Sequence, residues 1–161
     1  MISVAIDSKS IGDTKLLGRV SFEIAEGETL AVVGPSGIGK TTLLRVLAGL
    51  DTDFEGQVAV PERCAMVFQE PALLPWRSAL QNLTLVNGVS DAAARAALGE
   101  VGLRDLADRF PGQLSLGQRR RLSLARAFSA APDMLLMDEP FVSLDAPLVE
   151  EMLELTESLL A

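Results

Sequence analysis

The stretch from Thr29 to Thr41 constrains the fold of this chain more than any other. The run Thr29-Leu30-Ala31-Val32-Val33 is short, continuously apolar and β-branched at its end, the pattern of a strand buried on both faces. It leads directly into Gly34-Pro35-Ser36-Gly37-Ile38-Gly39, whose glycine density forbids regular structure. From Lys40 the periodicity is helical, with Leu43, Leu44, Leu47 and Ala48 on one stripe and Gly49 as the C-terminal cap. Strand, loop and helix together match G-x-x-x-x-G-K-[ST], a phosphate-binding pattern. Its chemistry follows from the residue types. Glycines let successive N–H groups turn inward as an anion nest, and the helix aims its positive end at the same point. Lys40 adds a mobile cation for outer phosphates, and the Thr41 hydroxyl can ligate Mg2+.

The rest of the chain supplies the partners such a unit needs. Near the N-terminus SVAI and residues 20–24 (VSFEI) alternate with period two, Val20, Phe22 and Ile24 sharing a face; QVAV (57–60) and AMVF (65–68) read as further strands. Asp91 is the N-cap candidate for a helix over 92–101, and a second, arginine-rich helix is predicted from Gln118 to Ser129. Met134-Leu135-Leu136-Met137 is another buried strand, and Leu148, Met152, Leu155 and Leu159 fall at helical spacing. Strands alternating with helices predict an α/β domain with a mainly parallel sheet.

Composition removes several function classes. With 161 residues, 48% of them apolar, the chain can bury the core of one domain. Its longest apolar stretches fall far short of the ~20 residues of a membrane span, and its first ten residues predict no secretory signal. The single cysteine, Cys64, makes no internal disulfide or thiolate metal site, and the absence of histidine removes imidazole bases and ligands. All 14 basic residues precede residue 127, where acids balance them, so the net charge of −8 comes from the last fifth of the chain. No broad phosphate-backbone footprint is expected, and nucleic acid is excluded as partner.

Two further segments carry chemistry. Met134–Met137 ends in Asp138-Glu139, which puts carboxylates at the C-terminal edge of a strand, where open α/β sheets bind ligands. Asp138 would hold Mg2+ and Glu139 would orient the attacking water. Leu114-Ser115-Leu116-Gly117-Gln118 precedes the arginine-rich helix, so that the Ser115 hydroxyl, backbone amides and helix dipole can face an anion. Arg119, Arg120, Arg121 and Arg126 spread over different faces of that helix and are expected to be solvated or paired with acids. Trp76 is read equally as packing or docking surface, and Asn82-Leu83-Thr84 as an idle glycosylation sequon.

Together with Gln69 after the strand AMVF, Asp138-Glu139-Pro140 and Ser143-Leu144-Asp145, these motifs resemble, over essentially the whole chain, the nucleotide-binding subunit of an ABC transporter. The resemblance implies a P-loop NTPase core with a mainly parallel sheet, N-terminal antiparallel strands and a helical insertion. Residues 1–161 would form a single ATP-binding domain, its core 1–74 and 131–161 and its helical subdomain about 75–130. Gly34, Pro35, Ser36, Gly37, Ile38, Gly39, Lys40, Thr41 and Thr42 would bind the phosphates of ATP. Mg2+ would be held by Thr41, Gln69 and Asp138, with Glu139, Lys40 and Gln69 as catalytic residues. Ser115, Gly117 and Gln118 resemble the signature that caps the γ-phosphate of ATP on the opposite subunit, and Asp145 the aspartate that communicates across a head-to-tail dimer. The run Gln69–Trp76 resembles importers of small anions such as nitrate or sulfonates. A separate transmembrane permease subunit is implied as partner, with the chain cytoplasmic at the inner face of the membrane.

The resemblance departs from the family pattern at three points. Leu116 stands where the family usually has glycine, and a side chain there is expected either to crowd the phosphate or to reshape the turn. No aromatic near Ile11-Gly12 is available to stack on adenine. The sequence ends at Ala161, before the segment in which the family carries a switch histidine. The expectations that follow are an ATPase powering transport or, alternatively, a truncated or degenerate ATP-binding module with little turnover.

Overall fold

The computed structural model describes residues 1–142 and 144–160. Ser143, first residue of the Ser143-Leu144-Asp145 motif, and Ala161 lie outside the described residues. The chain divides into two compact units, Met1–Cys64 and Ala65–Ala161.

The first unit is organised by one long strand. β1 (Ile2–Ile11) turns at Gly12 into β2 (Thr14–Leu17), pairs antiparallel with β3 (Val20–Ile24) and on its other edge with β4 (Glu55–Ala59). Alternation buries Val4 and Ile6 on one face, as period two requires. The β1–β4 register shifts between Ile6 and Ser8, opposite Gly56 at φ 128°. A Cβ on Gly56 would stand 2.2 Å from Ala5 O, so the close approach of the two backbones demands glycine. Lys9 is buried at the end of β1, where its ammonium meets Asp51 at 2.9 Å and Asp53 at 3.3 Å. The hydrogen bond to Asp51 raises the Lys9 pKa, and the same bond holds the Asp51 carboxyl below the usual carboxylate range.

The expected strand over 29–33 is not formed. Residues 28–35 carry no regular structure, and Leu30 and Val33 are 47% and 87% exposed. Within this unit the strands pair around β1, and the run gains no ladder partner among the described residues. Apolar β-branched residues fit a strand only when neighbouring strands take up their N–H and C=O groups.

In the second unit β5 (Cys64–Val67) pairs with β6 (Met134–Met137). Between them lie α2 (Ala79–Asn87), α3 (Asp91–Glu100) and α4 (Leu116–Ser129), and α5 (Ala146–Leu160) follows. The fold class expected from the sequence is present: α/β, with antiparallel N-terminal strands, a parallel sheet and helices. α4 is the pivot of the unit because it is buried on two sides. Leu122 packs with Leu80, Leu83, Leu98 and Leu103 of the helical cluster. Leu124 and Ala127 pack with Val67 and Met152, joining the helix to the sheet and to α5. Each such leucine, fully buried, contributes about 2 kcal/mol of transfer free energy.

The helix starts follow local hydrogen-bonding chemistry. α3 is capped by Ser90, whose side chain accepts from Ala93 N, and not by Asp91, which occupies the first turn where its charge favours the dipole. Asn82, idle as a sequon, has a structural role instead. It is 0% exposed; its Oδ1 accepts from Leu74 N at 2.8 Å, while its Nδ2 donates to the carbonyls of Leu74, Arg77 and Ser78 at 3.0–3.2 Å. It thus satisfies the loop that enters α2. Replacing it by leucine keeps the volume and orphans these groups, so Asn82→Leu is expected to lower unfolding free energy by about 2 kcal/mol in urea titrations. An unchanged midpoint would show that the loop finds other partners.

Candidate functional site

The glycine loop and the start of α1 (Lys40–Leu47) lie in the first unit. The helix begins at Gly39, at φ 107° and ψ 9°, with no side-chain cap and no acid in its first turn. That sets it apart. Ser78, Ser90 and Ser115 cap α2, α3 and α4 with their side chains, and Asp145 Oδ1 accepts from Leu148 N at the start of α5. A helix start without its own oxygen cap is suited to an anionic ligand. Lys40 folds back over the loop, its ammonium donating to Gly34 O at 3.0 Å and Pro35 O at 3.1 Å. Gly34 to Ile38 are exposed, as are Thr41 and the tip of the loop, while Lys40 and Thr42 are half-buried. The stripe beneath is Leu43, Val46 and Leu47, with Gly49 at φ 68° ending the helix.

Gly39 is where the loop is most tightly determined. A Cβ there would lie 2.6 Å from Leu17 Cδ2 and 2.7 Å from Leu16 O, and its φ lies in the region that L residues avoid. The cradle therefore depends on the missing side chain. Gly39→Ala is expected to destabilise the first unit by about 2 kcal/mol and to weaken nucleotide binding with it. Calorimetric melting with and without ATP reads both effects, and wild-type behaviour in each would show that the loop tolerates a Cβ.

The second unit carries the remaining residues. β5 and β6 run to the same edge, where Asp138 N donates to Val67 O at 2.9 Å. This pairing brings Gln69, exposed two residues beyond β5, to the end of the sheet that carries Asp138 and Glu139. Asp138 is 5% exposed, Glu139 half-buried. Glu139 stands at φ 45°, a left-handed conformation that costs a non-glycine residue about 1 kcal/mol and must be held by its surroundings. Its carbonyl accepts from Val142 N at 3.2 Å.

At the start of α4, Ser115 and Gln118 form a capping box: Ser115 Oγ accepts from Gln118 N at 3.2 Å, and Gln118 Oε1 accepts from Ser115 N at 2.9 Å. The Ser115 hydroxyl keeps its own proton for a further acceptor. Leu116, expected to crowd the phosphate or reshape the turn, is 41% exposed. A Cβ on Gly117 would meet the Leu148 side chain at 3.3 Å, so a small residue suits the packing of α4 on α5. Trp76 is 66% exposed, a surface residue.

The arginines of α4 were the residues least well described by pattern. Arg121 pairs with Glu151, as the acid-paired expectation requires. Arg126 donates to Ala72 O, and burial lowers its guanidinium pKa. Arg120 is neither solvated nor acid-paired: it is 7% exposed and donates through Nη1 to Pro140 O and through Nη2 to Val142 O at 2.9 Å. Its charge type and helical register gave no hint that a loop 20 residues on would wrap around it.

The ABC transporter family model matches residues 17–142, from the end of β2 to the segment after Glu139. The chain belongs to the ABC transporter family. Among its ABC relatives are the aliphatic sulfonates import ATP-binding proteins SsuB of Mycobacterium sp. (strain MCS), 51% identical over 86% of this chain and 59% of the relative, and of Granulibacter bethesdensis, 50% identical over the same shares. SsuB 1 of Pseudomonas syringae pv. tomato is 49% identical over 86% of this chain and 52% of its own length. The chain thus spans between half and three-fifths of the length of these curated relatives. Among solved ABC structures, a dimeric post-hydrolysis state of the ATP-binding cassette MJ0796 bound to ADP and Pi superposes with a TM-score of 0.85 at 28% identity, covering 99% of this chain and 83% of that one.

Proposed function

We propose that this chain binds Mg-ATP and hydrolyses it in a head-to-tail dimer with a second copy of itself, powering uptake of a small anionic solute through a separate membrane permease. The observation that carries the reading is the start of α1, a helix without a side-chain cap behind a glycine loop packed so closely on Leu16 and Leu17 that Gly39 has no room for a Cβ. The donor set fits a nucleoside triphosphate: N–H groups of Gly34 and of Ser36 to Thr42, the Lys40 ammonium and the Thr41 hydroxyl. Thr41, Gln69 and Asp138 would hold Mg2+, which when bound supplies neutralisation of charge on the phosphate oxygens.

The residues then divide the work of phosphoryl transfer to water. Lys40 leaves the carbonyls of Gly34 and Pro35 for the outer phosphates and stabilises the charge that builds on them. Glu139 orients and polarises the attacking water. Ser115, with Gly117 and Gln118, donates to the γ-phosphate of ATP held by the second copy, using the hydroxyl proton that the capping box leaves unspent. Gln69 reports to the permease. No described helix is long and apolar enough to cross a membrane, which accords with attachment at the inner face through that partner. The import of aliphatic sulfonates named for the relatives supports an organic or inorganic oxyanion as the solute class.

The test is nucleotide-linked assembly. Calorimetric titration should show ATP binding that strengthens with Mg2+, and sedimentation should show the mass doubling in Mg-ATP and not in its absence. A chain that binds no ATP with Mg2+ present would overturn the reading.

A further inference from the structure

Arg120 joins three segments that the proposed mechanism uses separately. It lies on α4, in the second turn after Ser115. Its guanidinium holds the carbonyls of Pro140 and Val142, immediately after Glu139. With Phe68 and Pro71, which flank Gln69 and Glu70, and with Phe141 it lines one small cavity. Glu139 itself is in the left-handed conformation, and the turn that contains it is also supported by Asp138 N donating to Val67 O in front and Val142 N donating to Glu139 O behind.

We infer that Arg120 is a positioning residue for Glu139: it clamps the turn after β6 onto α4, holding the carboxylate where the hydrolytic water is expected and linking the signature end of the helix to the same subunit's water-orienting group. The inference rests on the hydrolysis reading above. Its physical basis is the fork of the guanidinium. Two carbonyls two residues apart accept from one rigid, planar donor, so their separation and orientation are set together, which neither a single ammonium nor an amide can do as well. The group is shielded from water, where competing donors are absent and such bonds are worth most. Burial lowers its pKa while the nearby Glu70 carboxylate opposes that shift, and an arginine remains charged in either setting.

The test separates a positioning role from mere support of the fold. In the purified chain, Arg120→Gln should raise amide exchange at Val142 at least tenfold while exchange through Met134–Met137 stays within twofold. The same variant should lose at least tenfold in kcat for Mg-ATP with KM within twofold, and Arg120→Lys should recover part of both losses. Glu151→Gln, which removes the ion pair between Arg121 of α4 and α5, should change neither. Unaltered exchange at Val142 in Arg120→Gln would overturn the inference, as would fast exchange with kcat unchanged. A wild-type chain with slow exchange at Val142 but no ATP turnover would instead overturn the hydrolysis reading on which the inference rests.

Discussion

Glu139→Gln should reduce steady-state phosphate release by about a thousandfold while leaving Mg-ATP affinity within a factor of about three. The substitution preserves side-chain volume and a carbonyl oxygen able to accept from water. It removes the negative charge that polarises the nucleophile as it attacks. Because the backbone at Glu139 is held in the left-handed region by the turn and by Arg120, the glutamine should occupy the same place, and the loss is chemical rather than structural. The measurement is phosphate release from wild type and variant at saturating Mg-ATP, with affinity read separately by a fluorescent nucleotide. Equal, background-level release from the two proteins would sink the enzyme reading and leave a nucleotide-dependent binding module.

Lys40→Ala should act one step earlier. A charge-assisted contact to phosphate contributes about 2–3 kcal/mol, so loss of the ammonium should weaken Mg-ATP binding by about a hundredfold. The bonds it makes to Gly34 O and Pro35 O are on an exposed loop, so melting of the nucleotide-free chain should shift little. Binding loss without stability loss is the signature to look for. Mg-ATP affinity unchanged in Lys40→Ala would mean that the phosphates are held elsewhere, and the assignment of Gly34 to Thr42 would fall with it.

Much of the candidate site can be proposed from the residues alone because its chemistry is local. A glycine cradle followed by Lys40 and Thr41, a serine three residues before a glutamine, and an apolar strand closing on two acids each need only a few neighbours in the chain. α1 begins at Lys40 and β6 ends before Asp138, as expected, while α4 begins at Leu116, two residues before the predicted start at Gln118, because Ser115 and Gln118 form a capping box. The same local logic erred by one residue at α3, where serine outcompeted aspartate for the cap. The larger omissions were non-local. Asn82 reads as a sequon until the loop over residues 74–78 closes on it. Arg120 reads as surface charge until residues 140–142 come to it.

The apolar run before the phosphate loop shows the division most sharply. Sequence alone determined the family, the fold class and the order of the phosphate loop, the helix it opens and the acids that end β6, because these depend on backbone freedom, periodicity and the charge of single side chains. It also proposed a buried strand at 29–33, and here tertiary structure decided otherwise: Leu30 and Val33 stay exposed with no ladder beside them. Propensity belongs to one segment, whereas a strand exists only when a neighbouring backbone accepts and donates its hydrogen bonds. The buried arginine behind Glu139 was decided for the same reason, since its partners are carbonyls that no side-chain pattern reveals.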